Sequence, residues 1–245
     1  RGGRAIQNAG SRLIELGMKN ACQVWHCEAE TVGYAEGVYT HKDTGATLSL
    51  GQLARGFMMK NGVTIGEPLQ ATGWYRVADV EDPDPETGMG NVASSWTFGA
   101  QACYLRVEKT TGEVEILHFA SAFDIGKAIN PRLVRGQMRG GVVQGLGAAF
   151  MEEVLFKDGV IRNTNFSGYH IPKLKDIPKK QSMFILETPH EVGAWSARPI
   201  AEHPIVVVAP VVMNAMSDAT GIEFTRIPLT PDVVLKALSE SKQGR

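Results

Sequence analysis

Residues 123–153 read FDIGKAINPRLVRGQMRGGVVQGLGAAFMEE, and the way this stretch folds decides the rest. It predicts the end of a strand, a turn at Asn130-Pro131, and then a helix with far more glycine than helices tolerate. An interior glycine costs a helix about 1 kcal/mol relative to alanine, yet Gly136, Gly140, Gly141, Gly145 and Gly147 all fall here. At about 3.6 residues per turn, Gly136, Gly140 and Gly147 share one stripe, and Gln137, Gly141, Gln144 and Ala148 share the next. Such a helix has a bare face edged by two amides. A bare face admits a neighbouring backbone or a flat ligand, and each amide offers both a donor and an acceptor. Tight helix packing with two surface glutamines accounts for the same pattern and is the simpler reading of the glycines alone.

Upstream, Arg4 to Met18 repeats apolar residues at helical spacing, a helix expected to continue to Trp25 with a break at Gly17. Short strands follow at 32–34, 37–40 and 46–48, and Ser49 caps a predicted helix over LGQLARGFMMK that ends at Gly62. Leu69 to Val77 reads as a strand, and DVEDPDPETGMGN as an irregular acidic loop. Trp96–Val107 and Glu113–Phe123 form a long hairpin through Thr110-Thr111-Gly112. Downstream of the glycine-rich helix, Asp158-Gly159 marks a second hairpin, and Ser182–Leu186 a further strand. ETPHEVGAWSARPIAEHP then leads into an apolar helix, VVVAPVVMNAMSDATG, and IEFTRIPLTPDVVLKALSE gives a strand and a last helix opened by Pro231. Hairpins and helices interleave without a βαβ rhythm, so the fold class is α+β, with mixed and antiparallel sheets and packed helices. The whole of 1–245 is taken as one region, with 1–75 and 96–187 grouped and 188–245 packing on them.

The 245 residues are 43% hydrophobic and 21% charged, with a net charge of −1, which gives no reason to expect nucleic acid or an anionic membrane as partner. No run of about eighteen apolar residues is present, and a cytoplasmic protein is expected. Arg1 opens the chain without a methionine, which suggests a polypeptide that begins earlier. Cys22, Cys27 and Cys103 form no C-x-x-C pair, and the six histidines form no H-x-x-x-H or H-x-H pair. Any metal would arrive with its own ligands. No G-x-S-x-G is present. Among the acids, Glu202 stands at the mouth of the apolar helix. A carboxylate half-buried there would be harder to ionise and could serve as a general base. Acids also favour helix N-termini, and by spacing alone capping is the plainer role.

The stretch HFASAFDIGKAINPRLVRGQMRGGVVQGLGAAFMEE resembles the molybdenum hydroxylase (xanthine dehydrogenase and aldehyde oxidoreductase) family, with its pattern D-x-G-x-x-x-N-P followed by G-Q-x-x-G-x-x-x-Q-G-x-G. TFGAQACYLRVEKTTGEVEILHF resembles the family's long hairpin, and ATGIEFTRIPLTPDVVLKAL its usual ending. ETPHEVGAWSARPIAEHPIVVVAP aligns without a gap to the run that carries the family's active-site glutamate, placing it on Glu202. The resemblance covers only the second half of the family's molybdenum-binding region. It implies a molybdopterin-binding unit, with the cofactor in its cytosine dinucleotide form, of an oxidoreductase that hydroxylates an aldehyde or N-heteroaromatic carbon with oxygen from water. It further implies the N-terminal half of the molybdenum-binding region, and iron-sulfur [2Fe-2S] and flavin (FAD) domains or subunits, as partners. Gly136, Gln137 and Ala201 would meet the cofactor, Glu202 would be the catalytic base, and Gln144 would either face the cofactor or support the helix. Where the family has K-G-V-G-E-P, this chain reads Arg198-Pro199-Ile200-Ala201-Glu202-His203, replacing two glycines. Two alternatives stay open: the missing first half allows a half that only completes a partner chain's site, and the altered loop around Pro199 allows a member diverged to bind the cofactor without hydroxylation.

Overall fold

The computed structural model describes residues 1–78 and 80–243, which divide into two compact units. The first comprises Arg1–Ser94 with Val192–Ala194, the second Ser95–Glu191 with Trp195 onward. The grouping read from sequence differs from this division. The reason is the core: Phe119, Val142, Val208, Val212 and Met216 pack as one cluster and tie 95–191 to 195–243, while Tyr39, Leu48 and Leu53 belong to a separate cluster in the first unit.

In the first unit, helix α1 (Gly2–Trp25) runs unbroken through Gly17. A Cβ there would overlap the Tyr39 hydroxyl, which donates to Ile14 O at 3.0 Å. Gly17 is therefore a packing residue and not a helix break. Strands β1 (Val32–Ala35), β2 (Val38–His41) and β3 (Thr47–Ser49) form an antiparallel meander. Ser49 and Gln52 complete a capping box, but helix α2 (Leu50–Leu53) has a single turn, followed by the hairpin β4 (Arg55–Met58) and β5 (Thr64–Pro68). The longer helix expected here is a correction. Gly56 adopts φ 80, which no right-handed helix accommodates, and Phe57 pairs with Ile65. The strand expected at 69–77 is also absent, because its carbonyls serve α1: Arg12 Nη1 donates to Thr72 O at 2.6 Å and Asn8 Nδ2 to Trp74 O at 2.9 Å. The acidic loop has no strand or helix among its described residues; Asp79 lies outside them.

The second unit is built on β6 (Phe98–Val107) and β7 (Val114–Asp124), the expected antiparallel hairpin. Helix α3 (Pro131–Phe150) is capped by Asn130, whose side chain accepts from Leu133 N at 3.1 Å. Two-residue strands β8 (Phe156–Lys157) and β9 (Val160–Ile161) flank Asp158 and Gly159, both at positive φ as a tight hairpin requires. Strand β10 (Lys180–Leu186) then returns parallel to β7, giving the order β10-β7-β6. One crossover through α3 thus stands inside an otherwise α+β arrangement. The apolar helix is split into α4 (His203–Val206) and α5 (Val208–Thr220). Pro210 has no N–H for the Val206 carbonyl, so the helix breaks there. No strand forms over 222–228; Phe224 and Leu229 instead enter the core, and α6 (Pro231–Gln243) follows.

Candidate functional site

The glycines of α3 do two different jobs. A Cβ on Gly141 would lie 2.7 Å from Pro204 Cβ and 3.3 Å from Ile205 N, and one on Gly145 2.5 Å from Val208 Cβ. These positions let the α4–α5 backbone settle on α3, and the packing offsets their helix cost. Gly147 is buried against Pro172 and Glu152, so it does not belong to a bare face as its stripe suggested. Gly136 and Gly140 are exposed, and a Cβ on either would meet nothing within 4 Å.

Beside Gly140 lies a cavity of about 350 Å³ lined by Gln137, Gly141, Gln144, Ala201, Glu202 and Ile205. Four of the five predicted site residues, Gln137, Gln144, Ala201 and Glu202, meet there, and Gly136 lies one turn from Gly140. Gln137 Nε2 donates to Ala201 O at 2.7 Å, and Ala201 N donates to His203 Nδ1 at 3.3 Å. Both backbone polar groups of Ala201 are thereby engaged within the chain. Gln137 ties the helix to the loop. Glu202 is the residue preceding α4, yet its side chain makes no capping hydrogen bond and is exposed. Neither the half-buried setting nor the capping role expected from sequence is observed, and Glu202 is among the residues that line the cavity.

The loop ahead of Glu202 is anchored at the end of β7. Asp124 Oδ1 accepts from Gly126 N and Thr188 N, both at 3.1 Å, and Arg198 Nε lies 3.9 Å from Asp124 Oδ2. Burial pushes the Asp124 carboxyl up, but the amide bonds and the Arg198 charge outweigh it and hold it below the usual range. Arg198 Nη1 donates to Trp96 O at 2.7 Å, and Arg198 N to Ile125 O at 2.6 Å. Gly126, at φ 58, backs directly onto Ser196 O, leaving no room for a side chain. Trp195 and Ser196 take left-handed φ values of 50 and 63, a turn that non-glycine residues enter at some cost. Burial, followed by the Arg198 charge, lowers the pKa of His190 from the usual imidazole range. Behind the cavity, Gln101 Nε2 donates to Pro204 O at 2.9 Å and fixes the start of α4. Sequence reasoning missed Gln101, since its partner lies about a hundred positions away; the Asp124-x-Gly126 turn was the one local signal of the anchor. A larger cleft of about 850 Å³ lies by the C-terminal end of α3 and holds none of the predicted site residues; of the charges that line it, Arg106 and Lys179 are both paired with Glu115.

The family model described as the molybdopterin cofactor-binding domain matches residues 1–178. The chain is 33% identical over 148 residues to the putative xanthine dehydrogenase molybdenum-binding subunit of Escherichia coli strain K12, covering 60% of this chain and 20% of that one. Among solved structures, the aldehyde oxidoreductase from Desulfovibrio gigas superposes with a TM-score of 0.66 at 25% identity, over 78% of this chain and 22% of that one. Reconstituted CO dehydrogenase from Oligotropha carboxidovorans gives 0.74 at 19% identity, over 97% of this chain and 28% of that one, a likeness of fold. The chain thus spans less than a third of the length of each of these proteins. On the family match over 1–178, and with the α3 pattern folded into an open cavity, this chain belongs to the molybdopterin cofactor-binding domain family.

Proposed function

We propose that this chain supplies the molybdopterin-facing part of an oxidoreductase that hydroxylates an aldehyde or N-heteroaromatic carbon with oxygen from water. The observation that carries the reading is the cavity that gathers Gln137, Gln144, Ala201 and Glu202 beside the open backbone of Gly140. The residues fit the group: a planar heterocycle with amide-like edges suits an unobstructed backbone flanked by two amides. When bound, the cofactor supplies the molybdenum redox couple at which oxygen transfer takes place.

Everything else falls to the chain. Gly136 and Gly140 leave room for the cofactor to lie along α3. Gln144 offers a donor and an acceptor to its edge. Gln137 offers its free carbonyl and, through Ala201 O, holds the loop in place. Glu202 accepts the proton that the water-derived nucleophile gives up, a role that needs an uncommitted carboxylate at the cavity wall. The cytosine dinucleotide form of the cofactor, [2Fe-2S] and FAD partner domains to carry electrons away, and the N-terminal half of the molybdenum-binding region complete the proposal. Three free thiols suit a reducing, cytoplasmic setting, and no described helix is long and apolar enough to cross a membrane.

The test is Glu202→Gln in the assembled enzyme. The amide keeps size and hydrogen bonding but takes no proton, so molybdenum content should hold while turnover falls about 10²-fold to 10⁴-fold. Near-normal turnover at full molybdenum content would refute the assignment.

A further inference from the structure

The sheet β10-β7-β6 has two faces, and only one is covered. Alternation along the strands sends Cys103, Leu105, Phe119 and Met183 to the face under α3 and α5. The opposite face of an ordinary half-buried sheet is polar. Here it is apolar. Phe98, Tyr104, Phe184 and Leu186 stand on it at 66%, 68%, 58% and 48% exposure. Between them the paired residues Ala100↔Ala122 and Ala102↔Ala120 leave a flat floor, and Phe184 pairs beside Ala122. The face also carries polar groups: His118 Nε2 lies 2.9 Å from Ser182 Oγ, Asp124 at one end is held by Gly126 N and Thr188 N, and Lys180 stands exposed at the start of the edge strand, where a flexible stem keeps its ammonium in water. The apolar patch between them can be dehydrated without orphaning a side-chain polar group.

We infer that this face is the seat of the remainder of the molybdenum-binding region, a folded protein surface that closes over the sheet. Two observations select that occupant. The fold recurs over 97% of this chain inside a solved chain of which it makes up only 28%, so a large further body of protein accompanies it there. The apolar patch is also small. At about 3.4 Å per residue and 4.8 Å between strands, the stretch from Phe98 to Tyr104 across three strands spans roughly 20 by 10 Å, well short of the roughly 800 Å² per partner that a stable pairing of two copies requires. A seam inside one larger fold has no such requirement. The inference rests on the reading that the chain is one part of a larger molybdenum-binding region, and it names the surface through which that region is completed.

The experiment uses the assembled enzyme carrying Tyr104→Cys or Phe184→Cys, with maleimide modification followed peptide by peptide against a denatured sample. Both side chains are exposed here, so neither change disturbs the core. In the native assembly, modification at both positions should be slowed more than about tenfold, as expected for groups reached only through opening. Modification at the denatured rate would overturn the inference. So would disulfide pairing of Tyr104→Cys chains with one another at a doubled mass, which would give the face to a second copy. Protection does not depend on turnover. If the face is protected while Glu202→Gln stays active, the surface stands and the catalytic assignment falls; the reverse pattern removes the surface alone.

Discussion

Substituting Gly140 by alanine separates two explanations of the glycine-rich helix, because it should stabilise the protein and impair it together. The position is helical and exposed, and an added Cβ meets nothing within 4 Å. Relief of the helix penalty therefore adds up to about 1 kcal/mol, a rise in Tm of roughly 2–4 °C at this domain size. If the cofactor lies against that backbone, the same methyl intrudes on it. Intrusions of this kind cost about 1–3 kcal/mol, or roughly fivefold to a hundredfold in affinity at about 1.4 kcal/mol per decade. Gly141→Ala is the internal contrast. Its Cβ would sit 2.7 Å from Pro204 Cβ, so it should lower Tm by displacing α4. The assay is thermal unfolding of the assembled protein alongside molybdenum retained after gel filtration. A Gly140→Ala protein with raised Tm and undiminished molybdenum would refute the reasoning, leaving the open glycines without a ligand to admit.

Asp124→Asn should destabilise the protein by about 1–3 kcal/mol near neutral pH, the usual cost of weakening a charged acceptor that holds two amides. The folded pKa of Asp124 is depressed, so its contribution is present above the unfolded carboxylate range and fades as pH falls through the folded value; denaturation midpoints of the variant and parent should converge in acid. Residues 1–245 expressed alone should retain no molybdenum through desalting, and stoichiometric metal in that chain would show that the pocket needs no second part.

Local signals made the long hairpin, the Asn130-capped helix and the Asp158-Gly159 turn legible in the sequence, since each is decided within a few residues. The errors lie where a distant residue decided. Gly17 looks like a helix break until Tyr39 is seen to fill its space, and 50–60 looks helical until Gly56 is seen at positive φ opposite β5. The site divides in the same way. A stripe on one helix announced Gln137 and Gln144, but the same stripe could not show that Gly141 carries α4 while Gly140 carries nothing. Gln101, held to Pro204 across the fold, left no local mark at all.

The replacement of two glycines by Pro199 and Ala201 bears on how Glu202 is presented. Glycines in such a loop let the backbone adapt; proline fixes φ and removes a donor. This loop does not depend on adaptation, because hydrogen bonds from outside it pin it along its length. Arg198 Nη1 reaches Trp96 O, Thr97 Oγ1 donates to Pro199 O at 3.0 Å, and Gln137 Nε2 donates to Ala201 O. None of these needs an N–H from residue 199. Proline therefore breaks none of these bonds, and the chain entropy it removes from the unfolded state favours the folded loop. The consequence is a carboxylate carried on a fixed segment just ahead of α4, positioned before any ligand arrives. Rigid placement of that kind is what general-base chemistry asks of a scaffold, so the loop's departure from the family pattern is compatible with the role proposed for Glu202.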